Sequence, residues 1–194
     1  MIVMKAEISG YMPLVQKPDC CNSACLQMIL LRRGLGFFMQ EEIARHLGVK
    51  IEEKYARAFH AKMPIARKRE DLGIATIKSE AKINKFFSAH NIPLIARAYP
   101  ASNIKDVRNF IFENLGKNND LWVEFHLDER EKDTDIHDNI LQRIDCKGKK
   151  CTVTTIDPGY LFRQVVDWPL DMLERSIGNK YGRECGFILI STSS

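Results

Sequence analysis

The spacing of hydrophobic positions changes along this 194-residue chain. Up to about residue 90, apart from residues 50–79, they recur at helical intervals, and beyond it they gather mostly into short runs between turn residues. The first helix is expected over about Cys21–Arg33, where Gly34 and Gly36 supply a C-terminal stop. A second is expected over about Gln40–Leu47, with Ile43 and Leu47 four apart and Gly48 following. A third covers about Ser79–Ala89, with Ile83, Phe86 and Phe87 turned inward. Residues 50–79 mix charge with Pro64 and carry no period. They read as a partly helical, exposed connection at the rim of a cleft.

Ile92–Tyr99 reads as a buried strand stopped by Pro100. A helix follows over about Asn103–Leu115, with Ile104, Val107, Ile111 and Leu115 on one stripe and Gly116 after it. Leu121–His126 reads as a strand, and the densely charged residues 127–136 as a solvated loop. Two strands, about Asn139–Asp145 and Cys151–Asp157, flank a turn at Gly148, and Asp157-Pro158-Gly159 is itself a turn signal. A short helix near Leu170–Ile177 and a last strand at Cys185–Ser191 complete the chain. Helices first and an antiparallel sheet later predict an α+β fold. We expect one domain over residues 1–194, with a helical half to about residue 90 and a sheet-rich half beyond it.

Composition adds little to this picture. Hydrophobic residues make up 45% of the chain and charged residues 28%, the balance of an ordinary globular protein. The net charge of +4 is modest, and the basic clusters at 66–69 and 147–150 read as a solvated loop and a hairpin tip, so no nucleic-acid partner is expected. No run approaches the roughly 20 apolar residues of a membrane span, and the first residues lack the pattern of a secretory signal. The expectation is a cytoplasmic protein without a membrane partner. Structural disulfides are then not expected among the six cysteines, although Cys146 and Cys151 bracket a turn where a bridge is geometrically conceivable. No C-x-x-C pair occurs, so no metal is expected, and nothing calls for a cofactor.

The densest chemistry lies in Gln16-Lys17-Pro18-Asp19-Cys20-Cys21-Asn22-Ser23-Ala24-Cys25-Leu26. Cys21 opens the first helix, where unpaired backbone N–H groups and the positive end of the macrodipole favour thiolate over thiol. Thiolate is the nucleophile, so this position predicts a thiol pKa lowered from about 8.5 towards roughly 3.5–7.5. Gln16, five residues upstream, can offer an amide N–H to a developing oxyanion beside the Cys21 N–H. Such a nucleophile needs a base and a group to orient it. His137 begins one strand of the predicted hairpin, and Asp157 ends the other. Simple pairing about Gly148 sets Asp157 opposite Ile140, three residues or roughly 10 Å from His137 and on the wrong face. A bulge in the hairpin would correct the parity.

The stretch around Gln16 and Cys21 resembles the papain-like cysteine peptidases, and among them the C39 and C39-like group. The resemblance rests on a Gln, a short spacer, a Cys, then Ala24-Cys25-Leu26 and the apolar Met28-Ile29-Leu30, and on His137 at a strand start followed by Asp157-Pro158 at the end of the next. It covers about residues 14–35 and 136–158. Asn22-Ser23 departs from it, standing where the family has a small, glycine-containing pair. The resemblance implies a papain-like fold, with the nucleophile helix packed on an antiparallel sheet and the substrate in the cleft between. It also implies a Cys21-His137-Asp157 triad with Gln16 at the oxyanion, acting on a peptide or protein substrate. Cys20 competes for the role of Cys21, His126 for that of His137, and Asp138 or Asn139 for that of Asp157. Three functions share these residues: a cysteine peptidase or amidase, an acyl- or peptidyl-transferase working through the same thioester, and a binding domain that keeps the fold without catalysis.

Overall fold

The computed structural model describes residues 3–127, 136–159, 163–180 and 183–193. In chain order its elements are β1 (Val3–Glu7), α1 (Cys21–Arg32), α2 (Gln40–Leu47), α3 (Glu80–Ala89), β2 (Leu94–Pro100), α4 (Val107–Gly116), β3 (Asp120–His126) and β4 (Ile136–Lys147). Then come β5 (Lys150–Ile156), β6 (Val165–Pro169), α5 (Leu170–Ser176), β7 (Asn179–Lys180), β8 (Arg183–Glu184) and β9 (Gly186–Thr192). Short 3₁₀ turns at Glu53–Ala58, Arg69–Asp71 and Thr76–Lys78 occupy the connection that showed no period. The fold is α+β, as the order of elements predicted. Most of the charged loop expected at 127–136 lies outside the described residues.

The main sheet runs β2-β9-β3-β4-β5-β6, and every pairing in it is antiparallel. Helices cover both faces. Against one face, α1, α2 and α3 pack on Trp122, Ile140, Ile156, Ile188 and Ile190. Against the other, α4 and α5 pack on Leu121, Val123, Phe125, Leu141 and Leu189. All seven residues of β3 are buried, as a central strand covered on both sides must be.

The helix that carries Cys21 is buried around its whole circumference from Asn22 to Leu30. Each large apolar side chain so covered contributes about 1.5–3 kcal/mol. Its far end is tied to the sheet by charge. Arg32 Nε and Arg33 Nε lie 2.6 and 2.7 Å from the fully buried Asp120 carboxylate, which also accepts from Tyr11 Oη at 2.5 Å. Removing one partner of a buried pair of this kind costs about 3–5 kcal/mol. With the C-terminal end of α1 fixed on β3, its N-terminal end is held over β4.

Strand β4 changes partners halfway. On one edge its first half pairs with β3, from Ile136 to Leu141, and its second half pairs with β1, from Arg143 to Lys147. The change falls at Gln142, whose carbonyl accepts from Ile8 N at 2.9 Å. On the other edge the β4–β5 register shifts between Leu141 and Arg143, which is the bulge the parity argument required. Through β1, the N-terminal segment contributes a strand to the sheet. Beyond the Gly148 turn, Cys146 and Cys151 stand directly opposite each other and are joined by a disulfide. That corrects the expectation of reduced thiols: the register supplies the geometry that the compartment argument had discounted.

Candidate active site

Cys21 is the first residue of α1, and a tight turn delivers it. Cys20 N donates to Lys17 O at 3.0 Å, with Pro18 and Asp19 at the corner. Asp19 has φ +60°, a left-handed conformation in which non-glycine residues are uncommon. Its carboxylate accepts from Glu52 N at 2.9 Å, which holds the corner in place. The segment before it is clamped from both sides. Gln40, at the start of α2, accepts from Lys17 N at 2.7 Å and donates to Val15 O at 2.9 Å. Gln16 stands between those two bonds, and its own N–H donates to Pro158 O at 2.9 Å. Gln16 is thus fastened to the turn that carries Asp157.

One cavity is lined by Gln16, Asp19, Cys21, Asn22, His137 and Asp138, with Arg69, Gly73 and Arg183 at its rim. The connection between α2 and α3 lines part of the cavity, through Arg69, Leu72, Gly73 and Ile74. Two polar groups near the nucleophile are buried without a hydrogen-bond partner, Gln16 Oε1 and Asn22 Nδ2. Cys20 and Cys25 are fully buried, and neither lines the cavity. His126 is also fully buried, with Nε2 3.1 Å from Arg183 O, and does not line the cavity.

His137 and Asp157 meet through the bulge. The register pairs Ile140 with Ile156. One further step sets Asp157 opposite Asn139, two residues from His137 and on the same face. His137 Nε2 lies 2.7 Å from Asp157 Oδ1. That oxygen also accepts from Gly159 N at 2.8 Å, and the other oxygen lies 3.4 Å from Asn139 Nδ2. An ionised carboxylate only accepts, so Nε2 carries the proton and Nδ1 of a neutral ring keeps its lone pair. Gly159 was not singled out from sequence. A Cβ there would stand 3.1 Å from Asp157 Oδ1 and 3.2 Å from His137 Nε2, so a side chain at this position would press on the pair.

The thiol itself departs from expectation. Cys21 Sγ donates to Asp138 Oδ2 at 3.2 Å, and no hydrogen bond joins it to His137. Asp138 faces α1, on the side of β4 opposite to the His137 and Asp157 pair. It also accepts from Thr76 Oγ1 at 3.1 Å and Trp122 Nε1 at 2.7 Å, while Cys25 Sγ donates to its backbone carbonyl at 3.4 Å. Burial and then the Asp138 charge hold the Cys21 thiol well above the usual thiol range. Burial and the same charge raise Cys25 as well, and Cys20 is pushed up to about 12, chiefly by burial. The expected acidic thiol is therefore corrected. The helix terminus favours thiolate, but enclosure of the sulfur and the facing Asp138 carboxylate act the other way and outweigh it.

Behind Asp138 lies a second buried carboxylate. Glu124 is paired directly with Asp138 across β3 and β4 and accepts from Thr76 N at 2.7 Å and Ile77 N at 3.2 Å. Burial and the Asp138 charge push it up to about 8. Among the described residues, no group of three or more His, Cys, Asp or Glu side chains could hold a metal ion. No helix among them is long and apolar enough to cross a membrane.

No family model matches the chain. No curated protein matches it either. Among solved structures it is similar to a double glycine motif protease from an AMS/PCAT transporter, determined in complex with the leader peptide. That similarity has a TM-score of 0.45 and 15% identity and covers 96% of each chain. A likeness this distant assigns no residue a role, so the functional reading below rests on the site's own geometry.

Proposed function

We propose that the chain is a cysteine peptidase or amidase that cleaves a peptide or amide bond through a thioester on Cys21. The observation that carries this reading is the meeting in one cavity of Cys21 at a helix N-terminus, Gln16 and a histidine oriented by Asp157. In the proposed reaction, Nδ1 of His137 takes the Cys21 proton and Sγ attacks the carbonyl carbon. The developing oxyanion receives the Cys21 N–H and the Gln16 amide. The imidazolium then protonates the leaving amine, and water, activated by the same ring, releases the acid. Asp157 holds the tautomer that makes Nδ1 the base.

A second reading, a binding domain that retains the fold without catalysis, is favoured by one observation: the resting thiol is bonded to a carboxylate and not to the imidazole. Incubation with a peptide library, scored for new termini by mass spectrometry, decides between the two. The hydrolase reading predicts cleavage that vanishes in Cys21→Ala and His137→Ala. Cleavage that persists in Cys21→Ala, or a wild type without any, would leave the binding reading.

A further inference from the structure

His137 and Asp138 are neighbours on β4, so their side chains leave opposite faces of the strand. Cys21, His137 and Asp138 line one cavity, and the Cys21 sulfur is bonded to Asp138 and not to His137. The Asp138 carboxylate is built to accept, with Cys21 and Thr76 on Oδ2 and Trp122 on Oδ1. We propose that Asp138 is a holding residue, which keeps the Cys21 S–H bonded on the α1 side of β4 until its sulfur is released to His137. The inference rests on the thiol-hydrolase reading for its purpose, though not for its test.

The charges around Asp138 support this role. Cys21 and Cys25 face it from α1, Glu124 from β3 and His137 from its own strand, with Arg183 near Glu124. Thr76 and Trp122 add neutral donors, and among the described residues no Lys or Arg is bonded to Asp138. Two buried carboxylates on paired positions cannot readily both be charged. Burial raises both carboxylates, but Glu124, with only two backbone donors, is pushed up to about 8, whereas the thiol, indole and hydroxyl donors oppose the rise at Asp138 and favour its charged form. A carboxylate that stays charged stabilises the thiol and opposes the thiolate. In the release step the S–H···O bond to Asp138 breaks and the proton passes from Sγ to Nδ1 of His137. The sulfur keeps the electron pair, and Asp138 keeps Thr76 and Trp122. No other reactant is needed.

Alkylation of the intact protein by iodoacetamide tests the proposal. Adducts at Cys21 are located by peptide mapping between pH 5.5 and 10. Wild-type Cys21 should react with a midpoint above that of a free thiol, about 8.5. Asp138→Asn should lower the midpoint by a unit or more and raise the rate at pH 7 by about tenfold or more, because reactivity follows the thiolate fraction. Thr76→Val leaves the charge with one donor fewer, so the midpoint should rise. This arm still decides if Asp138→Asn does not fold. A wild-type midpoint at or below that of a free thiol overturns the proposal, as does an Asp138→Asn profile that coincides with wild type or moves up. None of these readouts needs turnover. A protein that cleaves nothing yet responds to Asp138→Asn keeps the holding role and loses the hydrolase. A Cys21-dependent hydrolase whose profile ignores Asp138→Asn does the reverse.

Discussion

Asp138 and Asp157 are both buried and both bonded by three or more donors, yet they lie on opposite faces of one sheet. Asp157 meets an imidazole, the Gly159 N–H and the Asn139 amide, and in the proposed reaction it orients the base. Asp138 meets a thiol, a hydroxyl and an indole, and so restrains a nucleophile. The bulge at Gln142 separates them. Without it, Asp157 would stand opposite Ile140 and share the face of Asp138, leaving His137 unsupported and a second carboxylate behind Cys21. A single inserted residue thus sorts two chemically identical groups onto two faces of the sheet.

The largest effect that sharpens this comparison is expected at the base. Asp157→Asn should lower kcat by about 10⁴-fold, because an amide can favour the wrong imidazole tautomer. It should leave the pH profile of Cys21 alkylation near that of wild type, since Asp157 does not touch the sulfur. Steady-state turnover and alkylation of the same variant check both halves. A variant that shifted the thiol profile as strongly as Asp138→Asn would merge the two carboxylates into one functional unit.

A smaller loss is expected at Gln16. Gln16→Ala should reduce kcat by about 10²–10³-fold, the usual consequence of losing one oxyanion donor. The unfolding midpoint should be little changed, because the Gln40 clamp and the Pro158 bond act on backbone atoms. Normal turnover in this variant would leave Gln16 as a turn residue only.

The smallest effect concerns stability and pH. Glu124 is raised from 4.5 to about 8 in the folded chain. Its proton is therefore held more tightly in the folded than in the unfolded state. The associated stability is fully present below about 4.5 and is lost as the pH rises through about 8. Urea unfolding of wild type at several pH values in that window should show a falling contribution, and Glu124→Gln should flatten it. An unchanged slope in the variant would place the charge of the pair elsewhere.

The apolar periodicity located the helices well, since Gly34 and Gly48 adopt the left-handed geometry that ends α1 and α2. The hairpin and its required bulge were legible because one turn glycine and two functional end points constrain the register. Strand β1 was not legible, because Val3 and Met4 remain exposed and show no buried alternation. Strand β6 was also missed, being five residues long and ending in proline. Asp138 was weighed only as an alternative to Asp157, because a lone acid in a strand looks solvated until α1 and Trp122 are seen to cover it. The error over the Cys21 thiol has the same origin. The helix terminus is visible in sequence, whereas the burial that outweighs it is a property of the assembled fold.

The most direct measurement is to trap the acyl-enzyme. The protein is mixed with an activated acyl ester, quenched in acid within a turnover and digested for mass spectrometry. The account predicts one acyl group on Cys21, absent in Cys21→Ala, strongly reduced in His137→Ala and lost again on standing at neutral pH as water releases the acid. An acyl group on Cys20, Cys25 or Cys185, or no adduct on Cys21 at any pH, would contradict it.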